Sequence, residues 1–174
     1  IAAVGCLLFA AAGALAQECD KQYDSTFALI QDVIFEAKGC TSVTCHSGAA
    51  PAGDLDLTAG VAYDQLVDQP VASVAVGRAS GLRRVVPVSK ANSLLWLNLA
   101  GAVLPDEWQA PLRTMPLGGF APLSLNELDL VRMWIEYGAT RDGAVPGNGE
   151  LVHACTAPPG RLEVDPLCPP AHQQ

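Results

Sequence analysis

The strongest restriction on the fold of this chain is a short run in which two cysteines are followed at once by a histidine. Cys40 and Cys45 are separated by four residues, and His46 comes directly after the second cysteine. In the related Cys-x-x-Cys-His pattern, the two thiols attach a haem covalently and the histidine binds its iron. The four intervening residues are small or β-branched, so they can loop outward between the thiols. The run therefore predicts one covalent haem c held by Cys40, Cys45 and His46.

Two other interpretations of this run stay open. The two cysteines could instead form a small disulfide, which is common in exported proteins. They could also be half of a zinc site, although the sequence offers no second pair of cysteine or histidine residues at suitable spacing. His153 and His172 lie near the C-terminus, each close to a cysteine of its own. A haem-free, disulfide-stabilised exported module is therefore one alternative to a haem protein.

The N-terminal residues indicate export. Residues 1–16 are apolar and uncharged, and they end in Ala14-Leu15-Ala16, a small-x-small sequence typical of signal-peptide cleavage sites. We expect this segment to be a signal peptide that is removed, with residues 17–24 as a linker. The alternative is an uncleaved anchor, although the segment is shorter than the roughly 20 residues that span a bilayer. The mature protein is thus expected to be periplasmic or extracellular, with membrane contact only through an uncleaved segment.

The remaining cysteines do not pair off completely. Cys6 would leave with the signal peptide, and five of the six cysteines would then remain, an odd number. If the Cys40–His46 run holds a haem, Cys155 and Cys168 are the candidates for a disulfide. Cys19 is left without an assignment.

The charge balance limits the kinds of partner. The chain carries 10 Lys and Arg against 18 Asp and Glu, a net charge of −8, and it has no basic run. An acidic chain of this kind is poorly suited to binding nucleic-acid phosphates or anionic membrane surfaces. A basic docking surface on a protein partner would suit it better. No Ser-His-Asp arrangement, phosphate-binding glycine loop or metal-hydrolase motif indicates an enzyme.

Periodic apolar positions predict short helices joined by long loops. Helices are expected at residues 25–38, 58–67, 92–99 and 124–137, with Val61 facing inward on the second and Leu128, Val131 and Ile135 lining one face of the last. Ser124 and Glu127 form a capping-box pattern before the last of these, and Gly39 and Gly138 are natural helix ends. Residues 141–174 are rich in proline and lack periodicity, so we expect an irregular tail. The fold class predicted is all-α.

These pieces, taken in order, resemble a c-type cytochrome domain of the single-haem, planctomycete-type group. The matching segments are IFEAKGCTSVTCHSG, GDLDLT, RRVVPVSKANSLLW, TMPLGG and PLSLNELDLVRMWIEYGAT. The resemblance covers about residues 25–140 and does not include the tail. It implies a cytochrome c-like domain of short helices and long loops around one haem. The chain departs from the group in its four-residue cysteine gap and at Pro87-Val88-Ser89-Lys90.

The resemblance also implies that Met115 is the second axial ligand of the iron. A thioether is a soft ligand that suits iron opposite an imidazole, and a His/Met pair raises the reduction potential. Pro116 biases Met115 towards an extended backbone. Met133 is the other methionine, but it falls inside a predicted helix, where methionine usually fills the core. Arg84 could bind a haem propionate, or it could be a solvated surface arginine.

The function expected from these features is one-electron transfer by an exported mono-haem cytochrome c. The protein would act alone with redox partner proteins or as a subunit of a larger redox assembly, and it would not be an enzyme by itself. One alternative is a haem domain with an open distal position that acts as a peroxidase or sensor. That alternative requires that Met115 does not bind the iron.

Overall fold

A computed structural model describes residues 22–71, 82–108, 113–117 and 119–152, together with the backbone of 155–156. Over these residues the chain is rich in helix, which confirms the coarse all-α prediction. The helices are α1 (Thr26–Ile30), α2 (Ala62–Leu66), α3 (Leu94–Val103), α4 (Leu125–Glu136) and α5 (Asn148–Leu151). Two short strands, β1 (Gln22–Tyr23) and β2 (Cys155–Thr156), pair in parallel.

The first predicted helix is present, but its second half is π-helical, which is wider than an α-helix. Ser25 precedes α1, and its hydroxyl accepts a hydrogen bond from the N–H of Ala28 at 3.0 Å. After Ile30 the chain continues as a π-helical turn over Gln31–Glu36. The wider turn buries two successive side chains, Ile34 and Phe35. These two residues later form part of the wall of the candidate site.

The helix α4 follows its sequence pattern closely. The Ser124 hydroxyl accepts from the N–H of Glu127 at 3.2 Å, and the Glu127 carboxylate accepts from the N–H of Ser124 at 2.7 Å. The predicted inner face is buried, and it consists of Leu128, Val131 and Ile135. Gly138 follows the helix with a φ of +102°, a conformation that favours glycine. The capping box predicted from the sequence is therefore confirmed.

The two middle helices differ in detail from their predictions. The helix expected at 58–67 is shorter, and Val61, expected inside, is 42% exposed because it precedes the first turn of α2. The helix expected at 92–99 begins at Leu94 and runs on to Val103. Ser93 stands before α3, but its hydroxyl accepts from the N–H of Val86 at 2.8 Å instead of capping the helix. Ser93 thus fastens the preceding loop to the start of α3.

The core forms where α1 packs against α4. The rings of Phe27 and Trp134 lie 5.2 Å apart, and Tyr63 meets Phe27 edge-on at the same separation. Trp134 is fully buried, and its indole N–H donates to the carbonyl of Thr140 at 2.9 Å. Trp134 is therefore a packing residue of this core. The core also fixes the π-helical turn, and with it the beginning of the cysteine run.

The first part of the expected irregular tail is structured. The N–H of Val145 donates to the Thr26 hydroxyl at 2.7 Å, and the N–H of Thr26 donates to the carbonyl of Gly143 at 3.1 Å. Val145 and Asn148 are buried, so this segment closes over the start of α1. The expected boundary at residue 140 therefore does not mark a break in packing. Residues 157–174, like residues 1–21, lie outside the described residues.

None of the helices described is both long enough and apolar enough to cross a membrane. The segment for which an anchor was considered, residues 1–16, is not among the residues described.

Candidate functional site

A cavity of about 390 Å³ opens beside the π-helical turn, within the size range of small-molecule and cofactor sites. Its wall is mainly apolar and includes Ile34, Phe35, Leu57, Leu66, Leu94 and Leu99. The five residues predicted from sequence to bind a cofactor all line it, namely Cys40, Cys45, His46, Arg84 and Met115. They come from three segments that are distant in sequence and are brought to one place by the fold.

The cysteine run forms a tight loop whose middle faces solvent. The N–H of His46 donates to the carbonyl of Cys40 at 3.0 Å, which closes the loop across the four intervening residues. Within it, the N–H of Cys45 donates to the carbonyl of Ser42 at 2.9 Å. Val43 is 80% exposed. The extra residues therefore loop outward, while both cysteines and the histidine line the cavity.

The imidazole of His46 is oriented by the backbone. Its Nδ1 lies 3.0 Å from the carbonyl oxygen of Ala52, and because a carbonyl can only accept, Nδ1 is the donor. The other ring nitrogen, Nε2, then carries the lone pair that can bind a metal. Burial lowers the pKa of His46, and the positive charge of Arg84 lowers it further, against the opposing effect of the carbonyls of Ala52 and Leu55. The ring is therefore neutral at neutral pH, the form that acts as a ligand.

The two cysteines are free thiols, with no disulfide between them. Burial raises the pKa of Cys40 to about 11, and the neighbouring Cys45 contributes in the same direction. Both side chains are half-buried at the cavity wall, so the pair is accessible from the cavity side. The described residues include no cluster of three or more His, Cys, Asp or Glu side chains that could hold a metal ion.

Met115 reaches the cavity from the loop that follows α3. Its N–H donates to the carbonyl of Asn98 at 3.0 Å, which ties the loop to the middle of that helix. Met115 is half-buried, and Pro116 and Leu117 line the cavity beside it. Met133 lies on α4 and is not among the residues that line the cavity. Of the two methionines, Met115 is the one that the fold places with His46.

Arg84 is neither free nor fully solvated. One terminal nitrogen donates to the carbonyl and the side-chain oxygen of Gln65, at 2.8 and 3.0 Å. The other donates to the carbonyls of Gly53 and Asp54, at 3.1 and 2.8 Å. Burial lowers the pKa of Arg84, although Asp54 opposes this effect. These four acceptors are uncharged, so a cationic group stands at the cavity wall with no carboxylate bonded to it.

The structure adds one polar residue that the sequence interpretation missed. Asn98 lines the cavity, and its buried side-chain oxygen has no hydrogen-bond partner within the described part of the chain. The sequence did indicate this position, because Leu94, Leu95, Asn98 and Leu99 are spaced so that they lie on one face of a helix. Trp96, by contrast, packs edge-on against Trp108 with ring centroids 5.9 Å apart and does not line this cavity.

Two sequence-predicted residues cannot be placed. The side chains of Cys155 and Cys168, the candidates for a disulfide, lie outside the described residues.

Comparisons with known proteins found no match: no family model, no curated protein and no solved structure corresponds to this chain.

Proposed function

We propose that this chain is an exported mono-haem c-type cytochrome that carries out one-electron transfer. The observation that supports it is the shared cavity, which two thiols, an imidazole and a thioether from distant segments all line. These are the donors that covalent haem attachment and His/Met ligation require. The resemblance of residues 25–140 to the planctomycete-type cytochrome c group points to the same function.

The chemical character of the cavity fits a haem. Its apolar wall suits the faces of a porphyrin, and the neutral imidazole of His46 and the free thiols are in the forms that ligation and attachment need. Arg84 offers a positive charge that suits a propionate carboxylate. The side-chain oxygen of Asn98 has no hydrogen-bond partner among the described residues.

Each residue would have a distinct task. Cys40 and Cys45 would fix the haem by thioether bonds, and His46 and Met115 would supply the axial nitrogen and sulfur. The bound iron would supply the chemistry by changing between its ferrous and ferric states. The leucine-rich wall would exclude water, which together with a His/Met pair favours a high reduction potential. Such a protein holds and tunes its cofactor, and transfers electrons without forming a bond to a substrate.

The rim of the cavity provides a surface for a redox partner. Leu117 and Phe120 line the cavity and are nevertheless 43% and 55% exposed. An apolar rim on a chain with a net charge of −8 would favour a partner whose docking surface is basic around an apolar centre. Association of this kind weakens as salt concentration rises. The protein would function in this way alone or within a larger redox assembly.

A visible spectrum of the purified protein tests the proposal. The protein is produced in cells competent for covalent haem attachment, then examined oxidised, reduced with dithionite, and as its pyridine haemochrome. A low-spin c-type spectrum with a sulfur-to-iron charge-transfer band in the oxidised form would support it. A high-spin c-type spectrum would favour the open-site peroxidase or sensor. A colourless protein would leave the haem-free module.

A further inference from the structure

A second cavity lies on another side of α3. Its volume is about 470 Å³, which is also within the size range of small-molecule sites. Its wall is formed by Trp96 on α3, by the loop that follows this helix, by α4 and by Lys90. None of the described residues lines both cavities. The second cavity is therefore separate from the candidate haem site.

Two tryptophan rings form the aromatic part of this wall. Trp96 and Trp108 meet edge-on, with their ring centroids 5.9 Å apart. Trp96 is only 3% exposed, whereas Trp108 is half-buried and can be reached from the cavity. The ammonium nitrogen of Lys90 lies 5.6 Å from the centroid of the Trp96 ring. The face of an indole ring attracts cations, and the protein already places one ammonium group against this pair.

The positive charges at the wall are neutralised, but one negative charge is not. Lys90 is paired with Glu136 at 2.7 Å. Arg132 is paired with both Asp129 and Glu136. Glu107 is exposed at the wall, and its carboxylate forms no ion pair or hydrogen bond within the described part of the chain. The charge left over beside the two tryptophans is thus negative, which favours a cationic ligand.

The polar groups of the wall decide which kind of cation fits. A primary ammonium group has three N–H donors, each of which needs an acceptor when it leaves water. The wall offers one unpaired carboxylate, that of Glu107. A quaternary ammonium group has no N–H donor, and its methyl groups can pack against Trp108 and against the neighbouring Leu104 and Leu128. Tryptophan faces are well suited to such groups.

We propose that this second cavity binds a small organic cation that carries a quaternary, methylated ammonium group. Trp108 provides the aromatic face for the cation, and Glu107 provides the opposite charge. No haem is involved, so this site stands or falls independently of the function proposed above.

The test compares choline with neohexyl alcohol, its uncharged isostere in which carbon replaces the nitrogen. Binding to the purified protein is measured by calorimetry and by the NMR signals of the three indole N–H groups. We expect choline to bind about tenfold more tightly, the gain from a partly buried cation–π contact. The signals of Trp96 and Trp108 should shift. The signal of Trp134, whose N–H is bonded to the carbonyl of Thr140, should not.

Three variants identify the groups responsible. Trp108→Leu should reduce the affinity for choline to that for neohexyl alcohol, and Trp108→Phe should recover part of the difference. Glu107→Gln should weaken choline binding about threefold without affecting the alcohol, as expected for an exposed charge. It also tests the site if Trp108→Leu does not fold. Asp106 is exposed beside Glu107 but does not line the cavity, so Asp106→Asn is the matched control and should change neither affinity.

Four results would overturn the proposal. Absence of choline binding would do so directly. Equal affinities for choline and neohexyl alcohol would show that the cavity does not recognise charge. Equal weakening in Asp106→Asn and Glu107→Gln would show only a general attraction of cations to a chain with a net charge of −8. Tighter binding of butylammonium than of choline would show a preference for a primary ammonium, such as a lysine side chain of a partner protein.

Discussion

Ala52 is hydrogen-bonded to both of the last two residues of the cysteine run. Its carbonyl oxygen lies 3.0 Å from Nδ1 of His46, and its N–H donates to the carbonyl of Cys45 at 2.7 Å. The neighbouring carbonyls of Gly53 and Asp54 are held in turn by Arg84. Arg84 and the imidazole of His46 are thus hydrogen-bonded to successive residues of one loop. The orientation of the His46 ring depends on a loop outside the motif.

The cysteines should control covalent attachment. We expect Cys40→Ser and Cys45→Ser each to leave one thioether, and the double variant to bind no haem that survives denaturing electrophoresis. Haem staining of the gel and the pyridine haemochrome measure this. Ser42→Ala, which changes the exposed loop between the two thiols, is the control and should stain like the wild type. Undiminished staining of the double variant would contradict the assignment.

The two methionines should behave differently. In Met115→Ala the iron would lose its sulfur ligand, so we expect a high-spin ferric spectrum and a lower reduction potential. Met133→Leu replaces a methionine that does not line the cavity, and it should retain the wild-type spectrum. Absorption spectroscopy and potentiometry on the two variants make the comparison. A spectrum of Met115→Ala that matches the wild type would show that another group occupies the distal position.

Arg84 should matter for stability even without haem. Removing its guanidinium breaks four bonds that join the end of α2 to residues 53–54. Because hydrogen bonds from a charged donor are stronger than average, and because the group is partly exposed, we expect Arg84→Leu to lower the free energy of unfolding by about 2–3 kcal/mol. Chemical denaturation of the haem-free protein gives this value.

The adjacent arginine provides the control for this experiment. Arg83 is about half exposed, and its side chain bonds to the carbonyl of Asp68. We expect Arg83→Leu to cost less than about 1 kcal/mol, as is usual for an exposed charged group. Equal losses of unfolding free energy in the two variants would argue against a special role for Arg84 in holding the loop at residues 52–54.

The start of α4 should make stability dependent on pH. Burial raises the pKa of Glu127, but hydrogen bonds from Lys38 and Ser124 outweigh it and bring the net pKa below its ordinary value. A carboxyl group with a lowered pKa contributes stability above its unfolded pKa of about 4.3, and that contribution is lost as the pH falls through the folded pKa. We expect Glu127→Gln to weaken this acid dependence when unfolding is followed between neutral and acidic pH.

The contribution of the Ser124 hydroxyl to the stability of the same N-cap can be tested separately. Ser124→Ala removes the acceptor for the N–H of Glu127, and loss of an N-cap of this kind costs about 1 kcal/mol. Thermal unfolding followed by circular dichroism measures it. Ser42→Ala, in the loop between the two cysteines and away from α4, is a suitable reference. An unchanged midpoint in Ser124→Ala would show that the cap contributes nothing to the folded protein.

Local signals were enough to predict some of these elements. The capping box of Ser124 and Glu127 and the apolar face of α4 depend on residues three or four apart, so the sequence displays them directly. The cysteine run is equally local, and its outward loop follows from the small side chains at its centre. Val61 was misplaced because the exact start of a short helix depends on tertiary packing, which periodicity alone does not contain.

The rest of the site depends on contacts between distant residues. Nothing local indicates that the carbonyl of Asn98 holds Met115, or that Arg84 bonds to residues 53–54. Met115 was selected with the help of a resemblance, whereas Asn98 belonged to no motif and was missed. The packing of Val145 against Thr26 was missed for the same reason, since proline-rich sequence without periodicity gives no sign of what it covers.

The hydrogen bonds that join Val145 and Gly143 to Thr26 determine how short a fragment of this protein can be while α1 stays covered. The resemblance ends near residue 140, and a fragment designed on it would stop before the residues that bond to Thr26. The first turn of α1 would then be uncovered, and α1 leads through the π-helical turn to Cys40. A recombinant fragment meant to carry the cavity alone should therefore extend at least to Thr156, where β2 pairs with β1.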